Sequence, residues 1–96
     1  MTDPNDFAPD YLLIGHIAHD VTPAGPQLGG TVSYAAQTAV AFGLRVAILT
    51  SSAAGEPLLR DLPPQATVLS VPAAHTTTFD NRYTGSQRVQ YLYERA

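Results

Sequence analysis

Gly29-Gly30-Thr31-Val32-Ser33-Tyr34-Ala35-Ala36 opens the stretch that decides the fold. Val32, Ala35, Ala36, Ala39 and Val40 fall at i, i+3, i+4, i+7 and i+8, one face of an α-helix. Thr31 or Ser33 is suited to cap its start. Gly43 stands where a left-handed C-terminal residue belongs. The helix face is made of small residues, so it can approach a sheet closely. Arg45-Val46-Ala47-Ile48-Leu49-Thr50 follows and reads as a strand buried on both faces.

Upstream, Tyr11-Leu12-Leu13-Ile14-Gly15 is a second such run, closed by Gly. Strand, helix and strand together predict a βαβ unit with a parallel pair and a right-handed crossover. Between Gly15 and the helix, His16 to Asp20 reads as the exit from the first strand. Thr22-Pro23-Ala24-Gly25-Pro26 reads as a break in regular structure. Residues 1–10 carry three Asp and two Pro without periodicity, which predicts a flexible tail.

Downstream, Ser51-Ser52-Ala53-Ala54-Gly55 reads as a loop and Glu56 to Leu62 as a short helix ended by Pro63-Pro64. Thr67-Val68-Leu69-Ser70-Val71 is a third strand, closed by Pro72. The pattern then changes. Residues 76–83 and 87–93 alternate around the turn Thr84-Gly85-Ser86, which predicts an antiparallel hairpin. Three domain-level pieces result: a tail at 1–10, an α/β core portion at 11–75 and a hairpin at 76–96.

The chain has 96 residues, of which 45% are hydrophobic and 14% charged, too apolar for a disordered polymer. Five Arg, no Lys and eight acids give a net charge of −3, so no cationic footprint for nucleic acid exists. No apolar run approaches the roughly 20 residues of a membrane span. The acidic, Pro-containing start is unlike a secretory signal, and a soluble cytoplasmic location is expected. Without Cys, disulfides and thiolate chemistry are excluded. His16, His19 and His75 lack the spacing of a metal set, and His16 reads as a strand-end residue. Three buried-type strands with one full helix leave a sheet face bare if both crossovers wind the same way. If the winding reverses, each face receives one helix. Either way the cover is thin, and the chain is expected to be incomplete or to fold with a partner.

These segments, in order, resemble the N-terminal part of the PfkB carbohydrate kinase (ribokinase-like) family. The likeness rests on Leu13-Ile14-Gly15 leading to Asp20, on Gly29-Gly30 opening a helix that ends at Phe42-Gly43, on Arg45 to Thr50, on Thr76-Thr77-Thr78-Phe79 and on Gly85-Ser86-Gln87-Arg88. It implies an α/β fold: part of a three-layer parallel sheet with helices, plus the antiparallel hairpin of a lid. It also implies an ATP-dependent kinase of a sugar, polyol or nucleoside. Asp20 would hold substrate hydroxyls, and Gly29 and Gly30 would let backbone approach the substrate at a helix start. Tyr34 stands where sugar kinases of the family commonly carry Asn, which puts a ribose-like or fructose-like substrate in doubt; an inositol or a nucleoside is no less expected. Tyr34 is either a substrate contact or a buried first-turn residue. The lid would exclude water and offers a homodimer contact.

The 51–56 loop keeps a Gly but lacks the Gly-Asp pair often found there. The family's Gly-Ala-Gly-Asp stretch, which supplies base and anion hole, does not occur in these residues. ATP and Mg²⁺ are therefore implied for a complete family enzyme and not for this chain alone, and no catalytic residue is assigned here. Arg82 and Arg88 are expected to face one another across the hairpin, as an anion clamp or as solvated charges. Tyr83, Tyr91 and Tyr93 suit a stacking platform or a lid or dimer contact. The alternative is a non-catalytic small-molecule-binding or dimerisation module derived from such a kinase. A dinucleotide-binding reading ranks third, because no G-x-G-x-x-G directly follows the first strand and no acid ends the second.

Overall fold

The computed structural model describes residues 8–96, so most of the expected tail lies outside the described residues. The described part of that segment ends on Asp10, which accepts from the Arg45 backbone N–H at 2.9 Å and from its guanidinium at 3.2 Å. Asp10 is thereby anchored beside the first strand.

Seven strands among the described residues form two sheets. The first holds β1 (Tyr11–Ile14), β4 (Val46–Ala53) and β5 (Thr67–Ala73), all parallel, in the order β1-β4-β5. Helix α1 (Thr31–Ala41) belongs to the β1-to-β4 connection, and a 3₁₀ turn at Pro57–Asp61 belongs to the β4-to-β5 connection. Sequential strand order means that both connections step in one direction across the sheet. Val46 and Ile48 point to one face and pack with Ile17, Val32, Ala36, Ala39 and Leu62. Helix and 3₁₀ turn therefore share that face, and Ala36 at the contact is fully buried, as the small-residue helix face required. On the opposite face Leu12, Ile14, Leu69 and Val71 each expose more than half of their surface. The same-direction expectation, with one face bare, is the one that holds.

The second sheet was only half legible. Residues 18–29, read as an exit and a break, instead form β2 (Ala18–Thr22) and β3 (Gly25–Gly29), an antiparallel hairpin around Pro23-Ala24. Pro26 is accommodated because β3 is an edge strand, where a missing N–H costs no ladder bond. β2 then pairs in parallel with β6 (Thr77–Thr84), and β6 pairs antiparallel with β7 (Gln87–Glu94), giving the order β3-β2-β6-β7. The predicted C-terminal hairpin is thus one half of a four-stranded sheet whose other half comes from before the helix.

Smaller corrections follow from hydrogen bonding. β4 continues through Ser51 and Ser52 to Ala53, because β5 pairs with it as far as Ala73, so of the expected 51–55 loop only Ala54-Gly55 is a turn. Pro72 does not close β5, since it lies on the free edge of that strand. The expected helix at 56–62 is a 3₁₀ turn. At α1 the N-cap is Gly30, and neither Thr31 nor Ser33 caps it. The buried Ser33 hydroxyl instead donates back to the carbonyls of Gly29 and Gly30, at 2.9 and 2.8 Å. Gly43 has φ +78°, as expected of a helix-ending glycine.

Candidate functional site

The chain must leave the first sheet at Gly15 and enter the second at Ala18. Ile17 secures that passage: its side chain is fully buried in the core, and its N–H donates to Thr50 Oγ1 at 2.9 Å. Gly15 is required there, because a Cβ would come within 2.6 Å of Val32 Cγ2. Beyond this pivot β2 projects Ala18 and Asp20 to one side and His19 and Val21 to the other.

The Asp20 side faces an open cleft of about 730 Å³ between the two sheets. Its floor is the end of β1 with Gly15 and His16, and the start of α1 from Gly30 through Thr31, Val32, Tyr34 and Ala35. Its roof is one face of the four-stranded sheet. The β6 residues Thr77, Phe79, Asn81 and Tyr83 alternate along that face, and Arg88 and Gln90 of β7 join them. Register explains the grouping: Tyr83 lies opposite Arg88, and Asn81 opposite Gln90.

Of the residues expected at the site, Asp20, Gly30 and Tyr34 line the cleft. Gly29 lies behind them, and the space its side chain would need is taken by the Asp20 carboxylate. Gly30 has φ +93°, and a Cβ there would stand 2.7 Å from the His16 carbonyl oxygen. Tyr34 is not buried in the first turn; it is exposed at the cleft wall. Burial raises the Asp20 pKa above the ordinary carboxylate value of 3.8. His16 Nδ1 lies 3.3 Å from the Thr77 hydroxyl, which links floor to roof.

The two arginines do not face one another. Arg88 belongs to the cleft face. Arg82 pairs with Val89 in register and lies on the other face, where it donates to Asp80 at 3.1 Å and to the Tyr93 hydroxyl at 3.3 Å. Its guanidinium sits 5.0 Å from the Tyr91 ring centroid. Tyr91 and Tyr93 stack there at 6.4 Å, whereas Tyr83 lines the cleft. No single platform of three tyrosines forms.

Sequence reasoning missed Asn81 and Gln90. Among the described residues, the Asn81 Oδ1 is the buried side-chain atom left without a hydrogen-bond partner. Alternation within residues 76–83 would have set Asn81 on one face with Phe79 and Tyr83, but not which face met a cleft. Chemically, the site offers a carboxylate that can accept hydrogen bonds from two hydroxyls, together with the amides of Asn81 and Gln90. Phe79 and Tyr83 supply apolar surface beside them.

No protein-family model matches the sequence, and no curated protein matches it either. Solved structures do. A ribokinase-family pyrophosphate-dependent kinase, complexed with a pyrophosphate analog and myo-inositol, is 25% identical over 88% of this chain, with TM-score 0.68. A microbiome-derived acarbose kinase covers 92% of the chain at 19% identity and TM-score 0.67. The chain has a ribokinase-like fold. A pyrophosphate-dependent myo-inositol-1 kinase, converted into a myo-inositol-3 kinase by two substitutions, matches 73% of it at 23% identity and TM-score 0.57. The ribokinase-like chain spans about a third of these proteins, namely 32%, 37% and 27% of their lengths. No helix among its described residues is long and apolar enough to cross a membrane.

Proposed function

We propose that this chain forms the acceptor-binding portion of a small-molecule kinase that phosphorylates a hydroxyl of an uncharged cyclic polyol, with an inositol as the favoured class. The observation that carries the reading is that the Asp20 carboxylate, seated against Gly29, and the Asn81 amide line one cleft, from the floor and from the roof. A polyol ring has donors for both acceptors, and its C–H faces suit Phe79 and Tyr83. The inositol kinases among the solved relatives support the same substrate class. Asp20 and Gly30 are assigned to acceptor binding, Tyr34 to the cleft wall, and Gly29 to seating Asp20.

In the reaction, an acceptor hydroxyl oxygen attacks the terminal phosphorus of the donor, the bond to the leaving phosphate breaks, and the hydroxyl proton passes to a base. The donor is ATP or, as in the pyrophosphate-dependent relatives, pyrophosphate. Neither a Gly-Ala-Gly-Asp stretch nor a Walker-type phosphate loop occurs in these residues. Among the described residues no cluster of three His, Asp or Glu side chains is arranged to hold Mg²⁺. The reading assigns base, donor site and metal to residues outside this portion. What this portion contributes is orientation of the acceptor and, through the lid sheet, exclusion of water.

Calorimetric titration of the chain with myo-inositol, ribose and adenosine tests the reading. Binding of myo-inositol that Asp20→Ala abolishes is the expected result; no binding of any of the three overturns it. Incubation with ATP and acceptor should give no turnover by residues 1–96, and measurable phosphorylation would overturn the division of labour.

A second reading, a non-catalytic binding or dimerisation module, is favoured by one observation. β7 is a sheet edge whose residues are exposed throughout, and an open edge can pair with another strand. Sedimentation and calorimetry together decide it, because a folded monomer with no affinity for polyol or nucleoside defeats this second reading.

A further inference from the structure

Charge is distributed unevenly along the cleft. Its carboxylate, Asp20, sits beside Gly29 and the start of α1. Its guanidinium, Arg88, comes from β7. In the roof sheet Asp20 lies opposite Phe79, and Arg88 lies opposite Tyr83. Phe79 to Tyr83 is roughly 13 Å along β6, so the two charged side chains enter the cleft from positions well apart. The other arginines are engaged elsewhere or lie outside the cleft. Arg45 pairs with Asp10 at 3.2 Å, Arg82 pairs with Asp80 at 3.1 Å on the outer face, and Arg60 Nε donates to the Pro57 carbonyl at 3.4 Å. Arg95 does not line the cleft. Among the described residues Arg88 forms no ion pair. Strand alternation sets the Gln90 amide on the same face beside it. His16 is the other basic side chain in the cleft, and its Nδ1 is turned to the Thr77 hydroxyl at 3.3 Å.

We infer that Arg88, with the Gln90 amide beside it, is a phosphoryl-binding position on the roof, and that the cleft holds the phosphate monoester of its polyol more tightly than the free polyol. This deepens the acceptor reading given above and rests on it. A ring whose hydroxyls donate to Asp20 directs a substituent on its far side along the roof, away from the carboxylate. Asp20 repels a phosphate placed at its own end, and Arg88 attracts one placed at the other. The bound ester therefore has one favoured polarity, hydroxyls toward Asp20 and phosphate toward Arg88. A guanidinium presents a planar fork of donors that matches two phosphate oxygens, and the Gln90 amide has further N–H donors for the same group. A free polyol has no anionic group for Arg88 to hold, so its affinity does not depend on that side chain. Arg88 is thus the residue that distinguishes ester from alcohol.

Calorimetric titration of the chain with myo-inositol, racemic myo-inositol 1-phosphate and inorganic phosphate at low salt tests the assignment. The ester should bind about tenfold more tightly than myo-inositol, the gain expected of a hydrogen bond to a charged group. Arg88→Gln should bring the two affinities together and leave that for myo-inositol unchanged. Arg88 is exposed, so this variant should keep the wild-type melting temperature. Arg82→Gln removes the same charge from the outer face and should leave the difference in place. Equal wild-type affinities for ester and polyol overturn the assignment and leave the acceptor reading standing. Binding of the ester alone, abolished by Arg88→Gln, upholds Arg88 and overturns the uncharged acceptor. A preference that survives Arg88→Gln, or that Arg82→Gln abolishes, overturns the assignment. So does inorganic phosphate that binds as tightly as the ester, since the ring would then contribute nothing. No binding of any of the three overturns both readings.

Discussion

The Asp20 carboxylate lies against the α-carbon of Gly29, in the volume that any side chain on Gly29 would fill. A side chain at residue 29 would therefore require the Asp20 carboxylate to move. The pair joins the end of β3 to the middle of β2 and brings the negative charge to the start of α1.

Gly29→Ala should displace Asp20. It is expected to lower melting temperature and polyol affinity together. In an Asp20→Ala background the same substitution should cost much less, because the collision partner is gone. A double-mutant cycle read by thermal denaturation should return a coupling of about 0.5–3 kcal/mol. Additive effects would show that the contact is not what constrains Gly29. Gly30→Ala is different: its positive φ costs about 1–3 kcal/mol irrespective of Asp20, and its Cβ meets backbone.

Polyol binding should fail on the acid side at a pH above the ordinary aspartate value of 3.8. Burial raises the Asp20 pKa, and only the ionised form accepts two hydroxyl protons. The stability sign is opposite to that of a salt-bridged acid. With the folded pKa raised, the protonated group favours the fold at low pH. That contribution is lost as pH rises from 3.8 through the raised value. Asp20→Asn should flatten both profiles; an unaltered acid limb in calorimetric titrations with this variant would assign the limb elsewhere.

Asn81→Leu should have effects of opposite sign on stability and binding. The unpartnered buried oxygen costs the free chain about 1–3 kcal/mol, and leucine removes that cost. The variant should melt at the same or a higher temperature yet bind myo-inositol more weakly. Denaturation and calorimetry on one preparation check it, and retained affinity would remove Asn81 from the site.

Leu69→Glu should leave the fold nearly unchanged, within about 0.5 kcal/mol, because Leu69 lies on the bare face of the first sheet. The same change should reduce self-association in sedimentation and binding of an apolar dye, since Leu12, Ile14, Leu69 and Val71 form a contiguous exposed surface across β1, β4 and β5. Ile48→Ala, on the covered face of the same sheet, should instead cost about 2–5 kcal/mol.

Periodicity in the sequence determined the parallel unit β1-α1-β4, the third strand β5 and the C-terminal hairpin. Buried strands and an amphipathic helix write their burial into consecutive residues, so local reading suffices. The bare sheet face was legible for a related reason, since counting helices against buried strands needs no coordinates. Asp20 and the glycines were singled out only through the family resemblance that their order along the chain carries. Tertiary structure alone decided that 18–29 is a hairpin. β2 and β3 are short, polar and interrupted by Pro23 and Pro26, and they are strands because β6, nearly 60 residues later, offers β2 a hydrogen-bonding edge. The same pairing decided that Asn81, Arg88 and Gln90 meet Asp20 across a cleft and that Arg82 turns away. Which face of a strand is inside depends on what packs against it, and that partner is distant in the chain.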